Sequence, residues 1–360
     1  MSIQLATEYK PLEDITAPPP LVSRPLGDLV RFHGDDPSEL LKDRYLCKCG
    51  MLLLAGPTGI GKSSFSMQCQ LLWAIGREAF GIRPARPLKS LLIQAENDDG
   101  DLAEMRDGVL AGLNLTREEQ DAALSNVIVC RENSRTGRTF FVDVVRPLLT
   151  AHKPDLLWID PALAYLGGDG SSAEVVGGFL RNMLQPLLDE FQCACIIVHH
   201  TNKPLSGKEK STWQAGDFAY IASGSSEWAN APRAVLAIRS IGSHDIFELV
   251  AGKRGRRAEW RDCQDERIYS QLIQHSKEPG QICWLPASKD DLEPTGRPPT
   301  FDPEELLGLL TDSGLTAKEW QFEAKEEFGM GESTFDRIKR KLRTDKRATR
   351  SKVSNRWIRV

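Results

Sequence analysis

The stretch "MLLLAGPTGIGKSSFSMQ" at residues 51–68 constrains the fold of this chain more than any other part of the sequence. An apolar run typical of a buried β-strand leads into a loop with glycines at positions 56, 59 and 61, and a helical pattern starts at Lys62. This spacing fits G-x-x-x-x-G-K-[S/T], in which the glycines let backbone N–H groups turn inward as a nest at a helix N-terminus. The pattern predicts a strand, a phosphate-binding loop and a helix. The alternative is a glycine-rich turn with a solvated lysine.

The loop pattern assigns a role to each of its positions. Lys62 is expected to reach the β- and γ-phosphates of a nucleoside triphosphate, and the hydroxyl of Ser63 is expected to bind Mg²⁺. The predicted nucleotide-binding residues are Gly56, Pro57, Thr58, Gly59, Ile60, Gly61, Lys62, Ser63 and Ser64. ATP and Mg²⁺ are therefore the predicted cofactors, and ATP hydrolysis is the predicted activity.

Short apolar runs alternate with helical patterns on both sides of this loop. The predicted strands in this alternating part are residues 50–56, 90–97, 126–133, 155–161 and 193–200. Such alternation predicts an α/β fold with a mostly parallel sheet covered by helices. Three later runs, at 233–240, 247–254 and 281–288, have shorter connections and predict antiparallel strands at one edge of the sheet.

Two carboxylates lie at the ends of predicted strands and are candidates for the chemistry of hydrolysis. Asp160 ends the run "DLLWID" and Glu96 follows "LLIQA", so both are expected at the carboxyl edge of the sheet, beside the loop. There Asp160 would supply the second Mg²⁺ anchor, and Glu96 would polarise the attacking water. The alternatives are a strand-end cap before Pro161 for Asp160 and an ordinary exposed loop acid for Glu96.

Composition indicates where such a protein works. The chain has 360 residues and eight cysteines, several of which lie in apolar runs where reduced cysteine packs as a small hydrophobe. No apolar stretch approaches the roughly 18 to 20 residues that span a bilayer, and residues 1–20 carry acidic groups without an apolar signal core. We expect a cytoplasmic protein that does not contact a membrane.

Proline and charge divide the chain into parts. Residues 1–35 are proline-rich and lack periodicity, which predicts a loosely ordered arm, whereas 36–289 form the predicted ATPase domain. The proline-rich segment 290–302 is a predicted linker to a separate module at 303–360. Between residues 333 and 360 there are eleven Lys and Arg against two Asp, although the whole chain has a net charge of −4. This asymmetry predicts a basic module that meets a polyanion.

The module after the linker has the pattern of a winged helix-turn-helix. Pro303 begins one helix, Thr316 and Glu319 form a capping box for a second, and Ser333 is the predicted N-cap of a third. Residues 348–360 predict two short strands around a polar tip. The predicted DNA contacts are Thr334, Arg337, Lys339, Arg340, Lys341, Arg350 and Lys352. The third helix is expected in a major groove and the wing on the backbone; the alternative is a solvated or protein-docking basic helix.

Several further segments follow the phosphate loop in the order found in RecA-type motors: "IQAEND", "WIDP", "IIVHHTNK", "ASGSSEWANAPRAV" and "VAGKRG". From about residue 36 to 260 the chain resembles the plasmid-encoded hexameric replicative helicases of the RepA type and, more distantly, DnaB-type helicases. The resemblance implies a RecA-like P-loop core, a homohexameric ring and ATP bound between subunits.

The same resemblance implies roles for residues outside the loop. His200 resembles the residue that senses the γ-phosphate and relays its presence toward the DNA loops, and Arg233 resembles the arginine finger of a neighbouring subunit. Lys253 and Arg254 match a second contact to the neighbour's nucleotide, although Arg254 with Arg256 is an alternative alignment. The alternatives are a locally hydrogen-bonded histidine for His200 and a surface residue capping a strand for Arg233.

Two polar loops, 167–172 and 202–210, correspond to loops that line the central channel in related motors. There Lys203, Lys208 and Lys210 would hold single-stranded DNA by its phosphates; the alternative is a pair of flexible solvated loops. The predicted function is that of an ATP-dependent DNA helicase or translocase of a replicative, plasmid or phage-like type. The alternative is an ATP-gated DNA-binding regulator or loader without strand separation.

Overall fold

The structure is a computed structural model that describes residues 23–32, 34, 36–201, 214–222, 224–241, 246–291, 301–351 and 354–360. The chain divides into two compact units, 1–293 and 294–360, and each has a hydrophobic core of its own. Most of the predicted arm at 1–35 and most of the predicted linker at 290–302 lie outside the described residues.

The centre of the larger unit, in its described part, is a sheet of nine strands. After a small hairpin of β1 (Glu39–Leu41) and β2 (Leu46–Cys47), these strands are β3 (Met51–Gly56), β4 (Ser90–Gln94), β5 (Val127–Arg131), β6 (Leu156–Asp160), β7 (Ala194–His200), β8 (Ala234–Ser240), β9 (Ile246–Lys253), β10 (Ser270–His275) and β11 (Trp284–Ala287). Their spatial order is β11-β10-β9-β8-β3-β7-β6-β4-β5. The strands from β8 to β5 in this order pair in parallel, whereas β9, β10 and β11 pair antiparallel. The predicted α/β class with a mostly parallel sheet is confirmed.

Helices cover both faces of this sheet. They are α1 (Lys62–Ala74), α2 (Asp99–Gly112), α3 (Arg117–Asn126), α4 (Gly137–Phe140), α5 (Arg146–His152), α6 (Ala173–Gly177), α7 (Gln185–Phe191) and α8 (Glu227–Asn230), with π-helical turns joining α4 to α5 and α6 to α7. Successive residues of a strand point to opposite faces. Leu52 and Leu54 therefore pack with Phe65 of α1, whereas Leu53 packs on the other face with Phe179. Burial on both faces explains why β3 is an uninterrupted apolar run.

Strand β10 and the β1–β2 hairpin were not predicted from the sequence. The segment "SQLIQH" of β10 is mostly polar, and only Ile273 in it is fully buried, so it carries neither an apolar run nor a strong alternation. It nevertheless lies between β9 and β11 and completes the antiparallel edge. Strands β9 and β11, both predicted at this edge, are therefore separated by β10.

The smaller unit contains three helices and a two-stranded antiparallel sheet in its described part. The elements are α9 (Pro303–Gly308), α10 (Ala317–Phe328), α11 (Glu332–Thr344), β12 (Ala348–Arg350) and β13 (Trp357–Arg359). Asp302 and Thr316 each cap a helix through a capping box, as their spacing predicts for Thr316. The N-cap of α11 is Gly331 and not Ser333, because the carbonyl of Gly331 already accepts the N–H of Phe335 in the first helical turn.

Candidate active site

The phosphate loop lies between β3 and α1, as predicted. Gly59 and Gly61 have φ values of +79° and +89°, in the left-handed region that favours glycine. Gly61 is also the N-cap of α1, so the loop ends where the backbone N–H groups of the first helical turn are free of intrahelical partners. An anion placed there meets both the helix N-terminus and the turned-in loop.

Lys62, the first residue of α1, is buried against this loop. Its ammonium donates to the carbonyl oxygens of Gly56 (3.0 Å) and Pro57 (2.8 Å) and to Nδ1 of His200 (3.1 Å). Burial lowers the pKa of Lys62, while the carboxylates of Asp160 and Glu96 oppose this effect. A cation held this way is partly desolvated, which strengthens its attraction for a phosphate.

Asp160 ends β6 directly beside the start of α1. Its carboxylate is buried and accepts a hydrogen bond of 3.2 Å from the hydroxyl of Ser63. Burial raises the pKa of Asp160 to about 6, against the effects of the Ser63 hydrogen bond and of Lys62. The hydroxyl and carboxylate oxygens are hard ligands of the kind that Mg²⁺ prefers, so this pair fits the predicted metal anchor.

Glu96 and His200 complete the group at this edge of the sheet. Nε2 of His200 lies 3.7 Å from Oε1 of Glu96, whose side chain is more than half exposed. Lysine only donates hydrogen bonds, so Nδ1 of His200 accepts from Lys62 and the imidazole proton is on Nε2, facing Glu96. Burial, followed by the nearby Lys62, lowers the pKa of His200, which favours the neutral imidazole.

Arg233 lies at the amino edge of the same sheet, where the parallel strands begin, opposite to the carboxyl edge that carries the phosphate loop. It precedes β8, and its backbone N–H donates to the carbonyl of Met51, the first residue of β3. The phosphate loop follows Gly56, the last residue of β3. Five residue steps of about 3.3 Å separate these ends of β3, so the two edges are roughly 17 Å apart. The side chain of Arg233 is exposed. It cannot reach the phosphate loop of its own chain.

Lys253 and Arg254 lie at this second edge together with Arg233. Lys253 donates to the carbonyls of Ala229, Asn230 and Pro232. Arg254 donates to the carbonyls of Arg44 and Tyr45. Burial, followed by nearby arginines, lowers the pKa of both groups.

A cleft of about 420 Å³ opens at this second edge. Its lining includes four cationic side chains and one carboxylate, which are Arg44, Lys48, Arg233, Arg254 and Asp189. The concentration of positive charge makes this edge a complement for an anion.

The family of the protein follows from a comparison of its sequence with family models. Residues 25–205, about half of the chain, match the model of the AAA domain. The chain belongs to this AAA domain family. It is therefore a nucleotide-binding P-loop ATPase, and the matched segment includes the phosphate loop, Glu96, Asp160 and His200. No curated protein is significantly similar to the chain.

The predicted DNA contacts of this AAA protein are only partly described. Lys203, Lys208, Lys210 and Lys352 lie outside the described residues. The loop 167–172 is described, and its Gly170 carbonyl accepts hydrogen bonds from the backbone of Ser225 and the indole of Trp228. Arg350, on β12, is exposed.

In the smaller unit, α11 buries one face and exposes the other. The buried face carries Phe335, Ile338 and Leu342, so at 100° per residue the centre of the exposed face carries Arg337 and Arg340. Lys341 is exposed at the flank and Thr334 is half-buried. Lys339 is half-buried as well, with its ammonium 2.6 Å from Asp336 and 4.8 Å from the centre of the Phe335 ring. The predicted contacts on α11 therefore differ in their access to a partner.

The sequence did not associate His275 and Trp284 with the phosphate loop. The indole N–H of Trp284 donates to the carbonyl of Gly61 (3.2 Å) and to the hydroxyl of Ser64 (3.1 Å). Trp284 is more than 200 residues away in sequence, and a tryptophan in the apolar run "QICWLPAS" gives no signal beyond ordinary burial.

Proposed function

We propose that this AAA-family ATPase is an ATP-dependent DNA helicase or translocase of a replicative type. By resemblance it works as a ring of six subunits and hydrolyses ATP at subunit interfaces. The observation that carries the proposal is the separation of the candidate catalytic groups on the two edges of one sheet. Lys62 and its neighbours lie at one edge, whereas Arg233 lies at the other. Each subunit then presents half of a site at each edge.

The residues of the first half divide the chemistry among them. Lys62 would neutralise phosphate charge, Ser63 and Asp160 would hold Mg²⁺, and Glu96 would orient and deprotonate the attacking water. The exposure of Glu96 supports this last role, because the carboxylate remains accessible to a water molecule. His200 contacts both Lys62 and Thr58 of the loop, so its position depends on what occupies the loop.

Arg233 supplies the second half to a neighbouring copy. An arginine finger must touch the transferring phosphoryl group, and the 17 Å between the edges, estimated from strand geometry, excludes contact within one chain. A head-to-tail arrangement of copies that repeats this contact closes into a ring or continues as a filament. If Lys253 and Arg254 contact the neighbour's nucleotide, their hydrogen bonds to backbone carbonyls of their own chain must first break.

The smaller unit is proposed to be a winged helix-turn-helix that binds duplex DNA. Leu315 pairs through two backbone hydrogen bonds with Trp357 of β13, which adds a third strand position to the hairpin. With α11 as the recognition helix, Arg337 and Arg340 face the groove. Recruitment by this unit would bring the ATPase to its DNA, and the lysines of 202–210 would hold a single strand.

ATP turnover with and without single-stranded DNA tests the motor proposal. We expect single-stranded DNA to raise turnover several-fold in the wild-type chain and equally in Arg337→Ala/Arg340→Ala, since the motor responds through its ATPase unit. Flat turnover, or stimulation that the double variant loses, would instead favour an ATP-gated regulator or loader.

Duplex binding tests the winged-helix proposal with the same double variant. Arg337→Ala/Arg340→Ala removes two exposed cations and is expected to weaken duplex binding. The slope of log Kd against log salt concentration should fall by roughly two, one for each lost phosphate contact. Lys339→Ala is the matched control, because Asp336 already neutralises this lysine. Equal losses from both variants, measured by fluorescence anisotropy at several salt concentrations, would contradict the assignment of the groove-facing surface.

A further inference from the structure

The antiparallel edge of the sheet contacts the phosphate loop through two aromatic side chains. His275 and Trp284 are paired across β10 and β11. His275 donates its Nε2–H to the carbonyl of Ile60 (3.2 Å), and Trp284 donates its indole N–H to the carbonyl of Gly61 (3.2 Å) and to Ser64 (3.1 Å). The aromatic pair thus contacts two consecutive carbonyls of the loop, of which that of Gly61 also accepts the N–H of Phe65 and the hydroxyl of Ser64.

Trp284 is itself held in place by α1. The side-chain amide of Gln68 accepts from the backbone N–H of Trp284 (2.8 Å) and donates to its carbonyl (2.9 Å), and both residues are buried. An amide that satisfies both backbone groups of one residue fixes the local path of β11 relative to α1. The indole is therefore a rigid donor and not a side chain that merely rests on the loop.

The aromatic rings pack directly on Gly61. The rings of His275 and Trp284 lie 3.9 Å apart between centroids, and Phe247 packs against both of them at 5.1 and 5.0 Å. A Cβ atom on Gly61 would lie 2.7 Å from His275 and 3.1 Å from Trp284. The contact thus requires glycine at this position of the loop, in addition to the requirement from φ.

We propose that His275 and Trp284 are positioning residues that set the phosphate-binding face of the loop. The C=O and N–H of a trans peptide unit point in opposite directions. Because the carbonyls of Ile60 and Gly61 are held on the aromatic side, the N–H groups of the next residues, Gly61 and Lys62, are directed to the opposite side. Inward-facing N–H groups of this kind form an anion-binding nest.

This positioning role rests on the proposed binding of a nucleotide at the loop. Both residues lie outside the segment that matches the AAA domain, which ends at residue 205. The antiparallel strands thereby add positioning groups of their own to a site whose other residues come from the parallel part of the sheet. Preorganised donors bind a charged ligand more tightly because they lose less freedom on binding.

Trp284→Phe in the full-length chain tests the proposal, since it keeps an aromatic ring and removes the N–H. We expect the Kd of a fluorescent N-methylanthraniloyl-ATP with Mg²⁺ to rise about fivefold or more, as for loss of one well-placed hydrogen bond. The KM for ATP should rise similarly, and kcat should change less. Trp73→Phe is the matched control, because Trp73 is also buried and donates its indole N–H to a backbone carbonyl, that of Ile82, at the far end of α1.

The two tryptophan variants separate positioning from stability. Both are expected to lower the urea midpoint of unfolding, but only Trp284→Phe should weaken nucleotide binding. A Kd of Trp284→Phe within twofold of wild type, or an equal rise in Trp73→Phe, would overturn the positioning role. His275→Phe, at a half-buried position, is a second test if Trp284→Phe does not fold. We expect the Kd of the probe to rise about threefold in this variant. An unchanged Kd would also count against the proposal. Failure of the wild-type chain to bind the probe would instead refute the nucleotide site itself.

Discussion

Lys62→Met is expected to abolish ATP turnover, lowering kcat by at least about a thousandfold, because it removes the cation that the loop holds for phosphoryl charge. Methionine keeps an unbranched stem of similar length, so the loss measures the charge and not a cavity. Since burial lowers the pKa of Lys62, the folded protein disfavours its charged form. Loss of this charge is therefore not expected to destabilise the fold.

Steady-state phosphate release, circular dichroism and duplex binding check this result together. The variant should keep its thermal midpoint and should bind duplex DNA as the wild type does, because the predicted duplex contacts lie in residues 303–360. Lys62→Ala is expected to be equally inactive. Turnover above about a tenth of the wild-type rate in either variant would contradict the central role of Lys62.

Arg233→Ala is expected to lower kcat by about a thousandfold while nucleotide binding changes little, as for removal of an arginine finger. The reason is its position at the edge opposite to Lys62, from which, under the proposed function, it would serve only a neighbouring copy. Arg117→Ala is the matched control, because Arg117 is an exposed arginine of the ATPase unit that pairs with Asp121 on α3. This control should retain wild-type turnover.

Mixing the inactive variants gives the sharper measurement. If the two halves of a site come from adjacent copies, an equimolar mixture of Lys62→Met and Arg233→Ala contains about a quarter of interfaces with both intact residues. Such a mixture should recover measurable turnover, although neither variant does so alone. Absence of recovery, with subunit exchange verified by labelled chains, would argue against a shared site.

Much of the first half of the site was predictable from sequence because it depends on local patterns. Residues 51–68 contain the strand, the glycines of the loop and the start of the helix that follows. The carboxyl ends of parallel strands meet at one edge, so Asp160 could be placed beside the loop from the end of its apolar run, whereas the role of His200 came from the family resemblance. In the structure the hydroxyl of Ser63 donates to Asp160, and the ammonium of Lys62 donates to His200.

The contacts of Lys253 and Arg254 were not predictable in the same way. A basic run such as "GKRGRR" does not reveal whether its charges face solvent, a neighbour or the chain's own backbone. The structure directs both side chains to carbonyl groups, because β9 runs antiparallel to β8 and ends beside the segment 229–232 and the β1–β2 hairpin. Arg233, by contrast, has an exposed side chain at the same edge.

The sequence alone determined the order of strand, phosphate loop and helix, the acids that follow the parallel strands and the basic helix after the linker, since each depends on residues close together in the chain. Tertiary structure decided which groups lie at which edge of the sheet, and that His275 and Trp284 contact the carbonyls of the loop. These depend on strand order, strand direction and contacts over more than 200 residues. No local pattern encodes them, because the same apolar or basic segment is compatible with many partners until the sheet is assembled.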